Sequence, residues 1–288
     1  MSTPVLPAGV TAVADTAAAP GGPPPVAGRS ARRSWWVVPP LVLMLAAVAY
    51  PLVQVLLQSF EDDAWASVLG SEQFRTALLT TVGIAVAATV GCLVLGTFVA
   101  VVLAFVPFPG HRVVGRVIDT VLALPSFVIT LAFVFLYGAA GVFGAVTGGG
   151  LVSSPLGIVL AEVTFFTPFV VRPLLAAFSV FPRDQLDVAA SLGASPWRIA
   201  ARVLLPEALP ALAAGGGLTL LLTLNEFGIV LFTGARDALT LPVLIYTRGI
   251  VTFDLAGAAV LAMVQVALSL LLYVGYTALL RRLGGRRS

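Results

Sequence analysis

The sequence predicts an all-α, polytopic membrane protein with about six transmembrane helices, and three observations carry that prediction. Mean hydropathy is +1.05. Only 10% of residues are charged, whereas roughly a quarter are in a soluble domain. The apolar residues also gather into runs of about 20 or more, the length a helix needs to cross a hydrocarbon core.

The elements are taken in chain order. Residues 1–34 are rich in Pro, Ala and Gly, lack a helical period, and read as a disordered cytoplasmic tail. Residues 35–288 form the transmembrane domain. Arg29, Arg32 and Arg33 precede a first apolar run too long for a signal-peptide core and without a clear small-residue cleavage site, so an uncleaved span is expected. Apolar runs place spans at about 36–58, 77–106, 117–139, 155–181, 207–233 and 255–279. All 16 basic residues are arginine. With the N-terminus inside, 12 fall on cytoplasmic segments, while Arg75, Arg236 and Arg248 fall outside and Arg172 lies within span four. This bias puts both termini in the cytoplasm. Outside, 61–75 is acidic, VTGGG (146–150) is a flexible turn, and 234–254 is long enough for a short re-entrant or interfacial helix. Gly215, Gly216 and Gly217, in span five, suit close helix packing. No internal repeat supports an inverted-repeat transporter.

Composition excludes several functions. A chain with no lysine cannot build the phosphate-binding loop G-x-x-x-x-G-K-[ST], so any ATP-driven work belongs to a partner. Cys92 is the only cysteine and reads as a small buried side chain. His111 is the only histidine and reads as solvated in a short loop. No metal-ligand or Ser-His-Asp set is present, which argues against metal or hydrolase chemistry. The arginines are dispersed, so no nucleic-acid surface is expected.

One stretch departs from the apolar pattern: DVAASLGASPWRIAARVLLP, residues 187–206. Pro182 closes span four, and Asp184 and Asp187 suit the N-terminal end of a helix of about two turns. Gly193 suits the left-handed residue that ends it. Ser195 and Pro196 suit an N-cap and first position of a second helix, running to about Leu205. At 100° per residue Trp197, Ala200, Ala201 and Leu204 share one face, with Arg198 and Arg202 beside it. The segment 183–206 is thus an amphipathic, proline-bounded hairpin on the cytoplasmic side. On these signals alone, an interfacial connector with snorkelling arginines explains it equally well.

The spacing resembles a known signature. Inner-membrane permeases of binding-protein-dependent ABC importers carry E-A-A, three residues, G, nine residues, I, one residue, L-P. Here Asp187-Val188-Ala189 is followed after three residues by Gly193, and after nine more by Val203, Leu204 and Leu205-Pro206. Asp for Glu at 187, Val for Ala at 188 and Val for Ile at 203 are conservative departures. The resemblance implies that the hairpin is a coupling helix for a separate ATPase, with Asp187, Ala189, Gly193, Ala194, Trp197, Arg198, Arg202, Leu205 and Pro206 at the contact. It implies two ATPase subunits holding ATP and Mg, a second permease, identical or homologous, and an extracytoplasmic solute-binding protein. No cofactor is expected on this chain. The location implied is the bacterial inner membrane.

Ionisable groups at membrane depth are costly and mark function by default. Glu162, Arg172 and Glu226 are therefore candidates for a translocation path, with Asn225 a candidate hydrogen-bonding group in it. An internal ion pair joining spans four and five explains Glu162, Arg172 and Glu226 equally well. Asp119 reads as a surface partner of Arg116. The run NEFGIVLFTGARDALTLPVLIY (225–246) resembles permeases of 2-aminoethylphosphonate importers, which lie near those for sulfate, molybdate, iron(III) and polyamines. A small polar solute, 2-aminoethylphosphonate or a related phosphonate, is the implied cargo. The competing reading is an ion-coupled secondary transporter using Glu162 and Glu226.

Overall fold

The computed structural model describes residues 38–138, 141, 151–152, 154–233 and 238–284. The tail 1–34, the VTGGG turn, Arg236, Arg286 and Arg287 lie outside the described residues. Among those described, the regular structure is helical. The chain divides into two units at Ala49/Tyr50. In the first, the described residues are the apolar, exposed start of α1 (Val38–Gln58). The second holds everything from Tyr50 onward.

The second unit is built on α3 (Glu72–Phe105) and α6 (Pro155–Ser179), which pack along most of their length. Ser71 starts α3, its hydroxyl accepting from Phe74 N–H at 3.2 Å. Thirty-four residues give a helix of about 50 Å. Small residues on α3 let α6 approach: a Cβ at Gly96 would sit 2.9 Å from Val170 of α6. Ser154 caps α6 in the same way, accepting from Gly157 N–H at 3.2 Å, with Pro155 in the first turn. The α3–α6 core contains Cys92, Ala100, Phe165, Phe166, Val170 and Leu174.

Two predicted spans are broken. Span three is two helices, α4 (His111–Ala123) and α5 (Ser126–Tyr137), meeting at 110°. Pro125 is the cause: it forces Leu124 to extended backbone and brings no N–H to continue the helix. Span five is α9 (Leu209–Leu224) and α10 (Gly228–Thr233) with an irregular step between them. The broken end is satisfied from α12 (Leu255–Gly284), where Gln265 donates to Leu224 O at 2.8 Å. Among the described residues four helices are long and apolar enough to cross a membrane, and up to six spans result if two bent pairs each count as one: α4 with α5 at 110°, and the helix Pro196–Glu207 with α9 at 74°.

Gly215, Gly216 and Gly217 are helical and buried, and each opens space for a neighbour. A Cβ at Gly215 would lie 3.1 Å from both Phe169 O and Val170 Cα of α6. Pro173, four residues after Phe169, supplies no N–H to that carbonyl. The backbone of α9 thus lies against the stretch of α6 where the helical ladder lacks a rung. Tyr276 of α12 occupies the space beside Gly216 and donates its hydroxyl to Leu212 O at 2.9 Å.

The predicted short helix in 234–254 is α11 (Leu241–Val251), whose last turn is π-helical. With α2 (Ala64–Leu69) it covers one end of α12 and α3 in a second core of Val68, Phe74, Leu241, Leu244 and Leu261. Leu241 N–H donates to Thr81 Oγ1 of α3 at 2.8 Å, in a buried position. Thr81→Val keeps the shape but orphans that donor, a loss of roughly 1–3 kcal/mol. A lowered unfolding midpoint in detergent, with Thr81→Ser near wild type, is the expected result; equal midpoints for Val and Ser would refute it.

Candidate functional site

The polar hairpin comprises α7 (Arg183–Ser191) and α8 (Pro196–Glu207). Gly193 joins them at φ +78°. Ala194 N–H donates to Ala189 O at 3.1 Å and Gly193 N–H to Ala190 O at 2.9 Å, the paired bonds of a Schellman stop. Pro196 opens α8, as its fixed φ suits. Ser195 occupies the cap position with extended backbone, but its hydroxyl makes no capping bond.

A regular 100° wheel fails beyond Ile199. Residues Ala200–Leu204 form a π-helical turn, which is wider than an α-turn and rotates the residues after it. Trp197 and Leu204 therefore do not share a face: Leu204 is buried in the core, while Trp197 is 77% exposed. The hairpin is anchored through Leu204 and Ala208, which pack in the cluster that holds Leu174 and Phe178 of α6. Val188, Leu192 and Trp197 project outward, with Leu192 81% exposed. Asp187, Arg198 and Arg202 are exposed as well, and none pairs with another charge among the described residues. Of the other predicted contact residues, Ala189, Ala194, Leu205 and Pro206 are half-buried. Exposed large apolar groups ringed by unpaired charges are the make-up of a protein-docking surface.

Among the described residues the charges at membrane depth do not form the ion pair between spans four and five that the sequence offered. Arg172 forms an ion pair with Asp119 of α4 and donates to Gly115 O at 3.0 Å. Asp119 thus pairs with Arg172 rather than with Arg116, and no ion pair joins Arg172 to Glu162 or Glu226 among the described residues. The helix α4, which meets α5 at 110°, packs against α6 and brings Asp119 and Gly115 to Arg172. Glu162, in the second turn of α6, is fully buried and neither carboxylate oxygen has a partner. Glu226 stands in the break before α10, which packs against α6. Unlike Glu162, Glu226 is held: its Oε1 accepts from Ile229 N–H at 2.9 Å in the first turn of α10, and the Ser126 hydroxyl at the start of α5 faces it. Asn225 donates to Leu221 O at 2.7 Å. The two helix breaks and the two carboxylates therefore converge. Ser126 and Gln265 belong to this neighbourhood, and neither carried a sequence signal beyond being polar in an apolar run.

A cavity of about 1050 Å³ between α3, α8, α9 and α12 has Phe98, Trp197, Leu212 and Tyr276 in its wall. Its lining is almost wholly apolar and lacks both carboxylates, so it offers nothing to a polar solute. Among the described residues no three potential metal ligands gather. His111 is exposed, with Nδ1 3.3 Å from Phe108 O.

Comparison with known proteins places this geometry. The family described as "binding-protein-dependent transport system inner membrane component" matches residues 93–285, which include the hairpin, Glu162 and Glu226. The chain belongs to that family. It is the permease of an ABC importer, and the ion-coupled alternative falls with this assignment. The chain is 46% identical over 237 residues to PhnU of Salmonella paratyphi A, a permease protein named for 2-aminoethylphosphonate transport, covering 78% of this chain and 81% of the relative. It is 34% identical over 241 residues to the molybdenum transport system permease protein ModB of Mycobacterium tuberculosis, covering 79% and 88%. Its fold is similar to a chain of a bacterial alginate ABC transporter in complex with a pentasaccharide-bound periplasmic protein: TM-score 0.72, 17% identity, 86% of this permease and 93% of that chain.

Proposed function

We propose that this permease carries 2-aminoethylphosphonate, or a closely related phosphonate, into the cell, driven by separate ATPase subunits that dock on the hairpin 183–206. The observation that carries the cargo is the 46% identity over most of both chains to a permease named for 2-aminoethylphosphonate, against 34% to one named for molybdenum. The hairpin's exposed Leu192 and Trp197 and its unpaired Asp187, Arg198 and Arg202 support the docking reading. ATP and Mg sit on those partners, because a lysine-free chain has no phosphate-binding loop of its own. A second permease and a solute-binding protein complete the machine, with both termini of this chain on the ATPase side, as the arginine bias requires. Glu162, Asn225 and Glu226 line the path, while Arg172 braces α4 against α6 through Asp119.

Uptake decides the cargo. Cells lacking their own phosphonate import, given this permease with its ATPase and binding protein, are expected to accumulate 2-aminoethylphosphonate in an ATP-dependent manner. Accumulation of molybdate or sulfate instead, with none of the phosphonate, overturns the reading.

A further inference from the structure

We propose that Glu162, backed by Glu226, is the subsite for the ammonium group of the transported solute. The inference rests on the aminophosphonate reading above and assigns the recognition of one end of that molecule to two side chains.

The physical basis is an imbalance. A carboxylate removed from water needs hydrogen-bond donors or a cation, and without them its burial is heavily penalised. Glu162 has neither: it is fully buried and both oxygens are unpartnered. A second carboxyl group, Glu226, stands in the break before α10, and α10 packs against α6. Glu226 has its own compensation from the Ile229 amide and the first turn of α10. Glu162 sits in the second turn of its helix, out of reach of its own free amides. The acidic pair alone would not define a site. The orphaned, fully buried Glu162 oxygens are the independent sign that a donor comes from outside the chain.

Among the described residues no side chain supplies that donor. The chain has no lysine, and the one arginine inside α6, Arg172, is engaged by Asp119 and Gly115 O ten residues further along. Arg75 and Arg248 pair with Glu72 and Asp254. His111 is exposed and bonded near Phe108. A primary ammonium suits these oxygens by chemistry: three N–H donors and one positive charge, compact enough for an apolar wall. The surroundings fit as well, since the α4/α5 break at Pro125 and the α9/α10 break at Asn225 both lie beside Glu226. Discontinuous helices are where membrane transporters expose backbone and side chains to a solute.

The test separates charge from shape, using the complete transporter with its ATPase and binding protein reconstituted in vesicles. Wild-type uptake of 2-aminoethylphosphonate is measured first, and its absence refutes the cargo, not the subsite. Glu162→Gln keeps volume and loses charge, and is expected to lower uptake at least tenfold. Glu162→Asp keeps charge at a shorter reach, and is expected to stay within about threefold of wild type. A protonated glutamic acid serving only as packing predicts the reverse order, Gln tolerated and Asp not. Uptake retained in Gln overturns the proposal, and so does equal loss in both variants, because shape is then the requirement.

Discussion

Trp197→Glu is expected to abolish ATP-driven uptake while leaving the membrane domain folded. Trp197 is 77% exposed in the second helix of the hairpin, where it also borders the apolar cavity, and exposed substitutions usually shift stability by only about 0.5 kcal/mol. At an interface the same side chain is the type that carries most binding energy: losing a tryptophan anchor costs about 2–4 kcal/mol, and a buried charge in its place adds to that. Association with the ATPase should weaken by a factor of roughly 30 or more, since each 1.4 kcal/mol is tenfold. Co-purification with the ATPase subunits and solute uptake should fall together. Gly193→Pro should act in the same direction by a different route. Proline cannot adopt φ +78°, and it removes the N–H that Gly193 donates to Ala190 O, a change of at least about 3 kcal/mol in the hairpin. Gly193→Ala meets no neighbouring atom, so its cost is the left-handed backbone alone, about 1–2 kcal/mol. The ordering Pro worse than Ala, with Trp197→Glu stable but uncoupled, is specific to a docking hairpin. Full co-purification and uptake in both Trp197→Glu and Gly193→Pro would sink it.

The second large effect lies in the helix core. Gly215→Leu drives a side chain into Phe169 O and Val170 Cα, atoms of a backbone that cannot rotate away. Overpacking of this kind costs about 1–3 kcal/mol where neighbours can relax, and more where they cannot. The expected outcome is a protein recovered in low yield, with a clearly lowered unfolding midpoint. Gly83→Ala is the control: nothing lies within 4 Å of the added Cβ, and alanine in a helix gains up to about 1 kcal/mol over glycine. Similar midpoints for the two variants would show that α9 and α6 do not depend on close approach at Gly215.

These sites are mechanically connected. Leu204 and Ala208, at the base of the hairpin, share one packed cluster with Phe178, Leu174 and Val170 of α6. That cluster runs on to Ala161, beside Glu162, and to Ile229, whose amide holds Glu226. Packed cores transmit displacement because they have few voids in which to absorb it. A rigid-body movement imposed at the hairpin would therefore reach the acidic pair, as transitions that shift packed elements against one another require.

The sequence by itself determined the helical class, the apolar runs, the glycine stop at 193 and the spacing of the hairpin, all of which are local. Hydrophobic run length and a residue free to adopt positive φ depend on the chain's own covalent chemistry. It also carried Pro125 in plain view, although an apolar run continuing past a proline disguised a 110° break. Tertiary structure alone decided which charges meet. The sequence offered Glu162, Arg172 and Glu226 as an ion pair joining spans four and five. In the structure Asp119 of α4 meets Arg172 instead, and Glu162 has no hydrogen-bond partner. It likewise decided that the π turn at Ala200–Leu204 separates Trp197 from Leu204, exposing one and burying the other. The physical reason is common to both: a pattern along one helix fixes which residues share its face, but only packing between helices fixes what that face meets.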